Sequence, residues 1–212
     1  QSRVNTFAHV NHSAADPRLG VLLCINGTGI LNAWTRRLLG DVSYVEMNEL
    51  AEGIDAGCDG LSVLPFGNGA ERVLNNKNIG AHAVGLDLNR HHRGHLCRAV
   101  QEGIVFSFMY GMEIMADAGM SINTIRAGDA NMFMSDVFST SLSNISGAQI
   151  ELYDTDGALG AARGAGFGAG MYKSLDKAFE TLERKKTLNG DGSDLTEAYE
   201  RWKSAVEKAI EI

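Results

Sequence analysis

VLLCINGTGILNAWTRRLL, residues 21–39, decides the fold class. Residues 21–26 form a continuous apolar run of strand length, which predicts a strand covered on both faces. Gly27-Thr28-Gly29 follow at once, and residues 30–39 read as a helix. A strand that runs through a glycine turn into a helix is the repeating unit of an α/β protein.

The same alternation extends outward. Upstream, VNTFAHV (4–10) is a short strand candidate, followed by the polar turn residues 11–20. Downstream, residues 43–57 read as a helix, with Ser43 as N-cap and Glu46 at the capping-box position. LSVLPF (61–66) predicts a buried strand, 67–80 a loop, and AHAVGLDL (81–88) a short strand. The longest helix is predicted over 91–118, where Leu96, Val100, Ile104, Phe108 and Met112 recur every four residues. Gly103 and Gly111 lie inside it, each costing ~1 kcal/mol against alanine unless close packing offsets it. Then come a strand and turn (122–128), a helix (131–143), a strand (149–154) and a small-residue helix ending in a glycine turn (156–172). From 174 the chain reads as a charged helical tail of the same domain, interrupted at 189–194. One α/β domain over 1–212 is the expectation.

Composition narrows the function. Lys+Arg is 19 against 26 Asp+Glu, a formal net charge of −7. With no basic block, the chain is a poor nucleic-acid binder, yet backbone N–H groups can still hold a small anion. Cys24, Cys58 and Cys97 are odd in number and form no CxxC, so a reducing cytoplasm is expected rather than a disulfide framework or zinc ribbon. No apolar run approaches the ~18 residues of a membrane span. Glycine is 25 of 212 residues, well above the usual ~7%.

Two glycine turns carry possible chemistry. Gly27-Thr28-Gly29 at a helix start can present N–H groups to a phosphate. It is neither a Walker A loop nor a GxGxxG, and an ordinary tight turn remains open. Arg126-Ala127-Gly128-Asp129-Ala130-Asn131 is a second turn between strand and helix. Two such turns at strand ends are what an open α/β sheet needs for a ligand crevice. Asp129 and Asn131 acting only as helix caps is the alternative. Gly157, Gly160, Gly164, Gly166, Gly168 and Gly170 are assigned mainly to helix-on-sheet packing. His91, His92 and His95 invite a metal, His91 and His95 being one turn apart, but a solvated helix start is preferred for want of a second ligand cluster. No GxSxG and no Cys–His pair supports nucleophilic catalysis.

Taken in order, these segments resemble the C-terminal domain of the FGGY family of carbohydrate kinases, and within it the members acting on xylulose. GTGILNAW matches the family's glycine turn and Trp-containing helix. Leu64-Pro65-Phe66 with Gly69 and Arg72 loosely matches a following strand motif. Gly85-Leu86, Arg93, His95-Leu96, Arg98-Ala99-Val100 and Glu102-Gly103-Ile104-Val105-Phe106 match its long helix closely, which accounts for the histidines without a metal. Ala127-Gly128-Asp129-Ala130 stands at the adenosine segment, with Asp129 where the family has glycine. Ala158-Leu159-Gly160-Ala161-Ala162, then Gly164-Ala165-Gly166 and Gly168, match its small-residue helix, and Gly170-Met171-Tyr172 fits the end.

The resemblance implies an actin-like ATPase, ribonuclease-H-like α/β domain, here without its first strands. It implies transfer of the γ-phosphoryl of ATP, with Mg²⁺, to a ketose hydroxyl, D-xylulose being the expected ketose. Gly27, Thr28 and Gly29 would lie near the β/γ-phosphates, with Asn32 one turn into the helix. Gly128, Asp129 and Asn131 would line the adenosine pocket, with Met132 as an apolar wall. The catalytic Asp base and most of the sugar site are expected upstream of Gln1, so the chain alone would bind ATP or ADP weakly and lack kinase activity. A non-catalytic actin-like nucleotide-binding module, or a kinase for another sugar or polyol, are the alternatives. A homodimer is left open.

Overall fold

A 25-residue helix with polar residues at both ends and almost none of its middle exposed must be packed on every side. That is the position of α3 (Arg93–Asp117), whose residues 99–107 are all buried. The computed structural model describes residues 3–9 and 11–211; Val10, from the first strand candidate, lies outside them. Before α3 come β1 (Asn5–Ala8), β2 (Leu19–Leu22), α1 (Thr28–Leu38), α2 (Tyr44–Glu52), β3 (Ser62–Phe66) and β4 (Gly80–Val84). After it come β5 (Thr124–Gly128), α4 (Asp136–Ser146), β6 (Gln149–Tyr153), α5 (Gly157–Gly168), α6 (Leu175–Phe179), β7 (Arg184–Leu188) and α7 (Thr196–Glu211).

Among the described residues the strands form three small sheets. β1 pairs antiparallel with β2, β3 antiparallel with β4, and β6 lies between a parallel β5 and an antiparallel β7. The β5–α4–β6 unit is the crossover that parallel strands require. α3 lies directly on β3: a side chain at Gly103 would run into the Val63 carbonyl, so the internal glycine permits the close approach anticipated for it. α7 closes the other side. Trp202 is fully buried against Phe66 and Phe106, and its Nε1–H donates to the Val63 carbonyl at 2.9 Å. Phe138, Leu142, Ile150 and Leu152 join α4 and the β5–β6–β7 sheet to the same core.

The α/β expectation holds, with local corrections. Residues 21–26 are not a strand covered on both faces. The strand ends at Leu22 and belongs to a two-stranded hairpin that leaves Leu19 67% exposed, because two strands alone have nothing to cover their outer face. α2 stops at Glu52, although Ser43 caps it as expected, accepting the Glu46 N–H at 3.0 Å. The helix over 131–143 is split: Asn131–Met134 is a 3-10 turn and α4 starts anew after Ser135. Residues 184–188 form a strand rather than tail helix, because pairing along β6 outweighs the helical propensity of a Lys/Arg run. In α5 the packing role fails: side chains at Gly157, Gly160, Gly164 and Gly168 would meet open space, and only Gly166 abuts Tyr172.

Candidate functional site

The two glycine turns, about a hundred residues apart in sequence, open onto one groove. Gly29 and Asn32 of α1 face it from one side and Asn131 and Met132 from the other. Tyr44, Val45 and Asn48 of α2, with Met134 and Ser135, complete its walls around a volume of about 510 Å³. That size lies in the range of small-molecule sites.

Local rules explain each wall. Gly27 caps α1 without a side-chain hydrogen bond, leaving the first helical turn without a side-chain cap. The residue before it is tied down: Glu71, fully buried, accepts the Asn26 N–H at 3.0 and 3.2 Å. Burial pushes the Glu71 carboxyl above its ordinary range, opposed by that N–H. Asn131 has φ +55°, a left-handed conformation that asparagine tolerates better than most residues. It lets the chain turn sharply from β5 into the 3-10 turn. The cap of α4 is Ser135, whose Oγ accepts the Phe138 N–H, so the capping role considered for Asp129 and Asn131 falls to Ser135.

Among the described residues the lining contains no Asp, Glu, Lys, Arg or His. Its polar side chains are neutral, the amides of Asn32, Asn48 and Asn131 and the hydroxyls of Ser135 and Tyr44, while the Tyr44 ring, Val45, Met132 and Met134 supply apolar walls. Asn32 Oδ1 is buried and has no hydrogen-bond partner among the described residues. An unpaired buried oxygen is costly, and a ligand donor would satisfy it once the side chain turned toward the groove. Such a cleft suits a flat, uncharged ring with hydrogen-bonding edges better than an anion.

The remaining expected residues lie elsewhere. Thr28 lines a separate apolar cavity with Leu23, Ile25, Phe108 and Met112. A side chain at Gly27 would run into the Pro65 carbonyl, and one at Gly128 into the Thr155 carbonyl. Backbone packing therefore accounts for both glycines, whereas at Gly29 the space is open. Asp129 donates its N–H to the Tyr153 carbonyl at 2.9 Å, extending the sheet. The histidines are committed to the start of α3. His91, His92 and His95 each accept a backbone N–H at Nδ1, from Asp87, Gly94 and His92. His95 is buried there rather than solvated.

Sequence reasoning missed the α2 wall. Tyr44 and Asn48 are four residues apart, one turn on the same helix face. The apolar, exposed Tyr44 and Val45 beside the predicted Ser43 cap were the available signal.

The model of the FGGY family of carbohydrate kinases, C-terminal domain, matches residues 3–169. The chain belongs to the FGGY family of carbohydrate kinases. A xylulose kinase of Bacillus subtilis (strain 168) is 30% identical over 186 residues, covering 82% of this chain and 35% of that protein. Among solved structures, a xylulose kinase from Bifidobacterium adolescentis superposes with a TM-score of 0.70 at 29% identity, covering 96% of this chain and 38% of the other. A Plasmodium falciparum glycerol kinase with ADP gives a TM-score of 0.79 at 21% identity over 97% of this chain and 42% of the other. The FGGY domain thus has the actin-like ATPase fold of sugar kinases, and it spans little more than a third of the relatives' length.

Proposed function

We propose that this FGGY domain supplies the nucleotide wall of an ATP-dependent carbohydrate kinase. The observation that carries the reading is the groove in which Gly29 and Asn32 meet Asn131 and Met132, with Asn32 Oδ1 buried and unpaired. A charge-free, partly apolar cleft fits the adenine and ribose of ATP or ADP. The α1 start, free of a side-chain cap, is the feature proposed to face the phosphates. A glycerol kinase of the same fold was solved with ADP, in line with a nucleotide ligand for this domain.

The acceptor in this reading is a ketose, D-xylulose, and the xylulose kinase relatives favour xylulose without distinguishing its hand. Glycerol kinases among the relatives keep another polyol as the second reading. Phosphoryl transfer rests on positioning and charge neutralisation. Among the described residues no three His, Cys, Asp or Glu side chains group to hold a metal, so Mg²⁺ is proposed to arrive on the nucleotide phosphates. The sugar site and the base that activates its hydroxyl are proposed to come from the part of the relatives' length that this chain does not span.

Titration of the purified protein with ADP, followed by backbone NMR, tests this. Shifts concentrated at Gly29, Asn32, Asn131 and Met132 are expected. Binding that leaves these four unmoved, or robust ketose phosphorylation by the 212-residue chain itself, would overturn the assignment.

A further inference from the structure

Gln101 is a polar side chain in the most buried stretch of α3, only 1% exposed. An amide there is costly unless both of its ends are paired. Its Nε2 donates to Asn48 Oδ1 at 3.1 Å, and its Oε1 accepts from Ser135 Oγ at 2.6 Å. Asn48 and Ser135 both line the groove, on walls contributed by different parts of the chain, while Gln101 itself does not. Ser135 in turn starts α4 by accepting the Phe138 N–H.

We infer that Gln101 is a positioning residue for the base: through Asn48 it fixes the hydrogen-bonding polarity that the groove presents. The inference rests on the nucleotide reading above. With Oδ1 held by Gln101, the group that Asn48 has left for the groove is its Nδ2 amino donor. Asn32, on the facing wall, has an unpaired Oδ1 that becomes an acceptor when its amide turns toward a ligand. A donor and an acceptor together complement adenine, which carries an amino donor beside ring-nitrogen acceptors; guanine has the O6 acceptor where adenine has its amino group.

ATP and GTP affinities of the purified protein, measured by calorimetry for wild type and variants, test this. In Gln101→Glu the bond from Ser135 survives, but a carboxylate can only accept from Asn48, which must then turn its oxygen to the groove. The ratio of ATP to GTP affinity is expected to fall about tenfold, the equivalent of one hydrogen bond. Gln101→Leu removes the hold altogether and is expected to lower the ratio too. Combined with Asn48→Ala, it should lower it no further than Asn48→Ala alone. A merely structural role would weaken both nucleotides equally. An unchanged ratio in folded Gln101 variants overturns the inference and leaves the nucleotide reading standing. If neither Gln101 variant folds, Asn48→Asp is read instead, and an unchanged ratio there overturns it. A wild-type protein that binds neither nucleotide overturns both.

Discussion

Gly27 packs against the carbonyl of Pro65, so closely that a side-chain carbon at 27 would overlap the carbonyl oxygen. The strand β3 and the start of α1 are thereby fixed to each other through backbone. Gly29, two residues on, has open space around its Cα and lines the groove. The two glycines of one turn therefore separate by role. Gly27→Ala is expected to destabilise the fold by about 3 kcal/mol or more, the upper range for overpacking against a rigid partner. Gly29→Ala, a helical position with room, is expected to hold or slightly raise stability while weakening ATP binding. Urea denaturation and nucleotide titration of both variants read the separation.

Trp202 closes the core through both its area and its one donor. In Trp202→Phe the Val63 carbonyl loses its Nε1–H partner and a cavity opens beside Phe66 and Phe106. The expected loss is about 2–4 kcal/mol, combining a cavity with an unpaired buried acceptor. Equilibrium unfolding checks it. A loss below half a kcal/mol would mean that α7 is not a structural part of the core.

Two carboxylates bend the pH profile of stability in opposite directions. Glu151 accepts from Arg126, Tyr153 and Arg184, and these hydrogen bonds, that from Arg126 foremost, hold its carboxyl down at about 2. The fold thus favours its ionised form, so its contribution is complete above the ordinary carboxylate range and is lost as pH falls through about 2. Glu71 is raised by burial, so its ionisation works against the fold as pH rises out of the ordinary range. Denaturant midpoints from acid to neutral pH check both. Glu151→Gln should lie below wild type at neutral pH and converge with it in acid. Glu71→Gln, which keeps an oxygen for the Asn26 N–H, should gain on wild type as pH rises from 4.5.

The long helix, its glycine and the buried strand 62–66 were legible because period and composition agree with what tertiary packing demands. Residues 21–26 misled because an apolar run signals burial without saying how many neighbours the strand has; here it has one. The glycines of α5 misled in the opposite sense, since small residues permit close packing but do not require it. Half of the expected site residues reached the groove: Gly29, Asn32, Asn131 and Met132. Asn48, Ser135 and Gln101 carry no local signature, because their relation is made only when α2, α3 and α4 pack together.

Asn32 is where stability and function should part. Its buried Oδ1 has no hydrogen-bond partner among the described residues, which costs the fold stability. Asn32→Leu removes the unpaired oxygen and keeps a side chain of similar size, so stability is expected to stay level or rise by up to about 1 kcal/mol. ATP affinity should fall about tenfold, because the amide that can turn to meet the ligand is gone. A stabilised protein that still binds ATP as wild type does would show that the Asn32 oxygen is spent on something other than the nucleotide. Asn131→Gly is the paired control on the other wall. At φ +55° glycine relieves strain, so a loss of ATP affinity there, with stability intact, would report the missing Asn131 side chain rather than a misplaced turn.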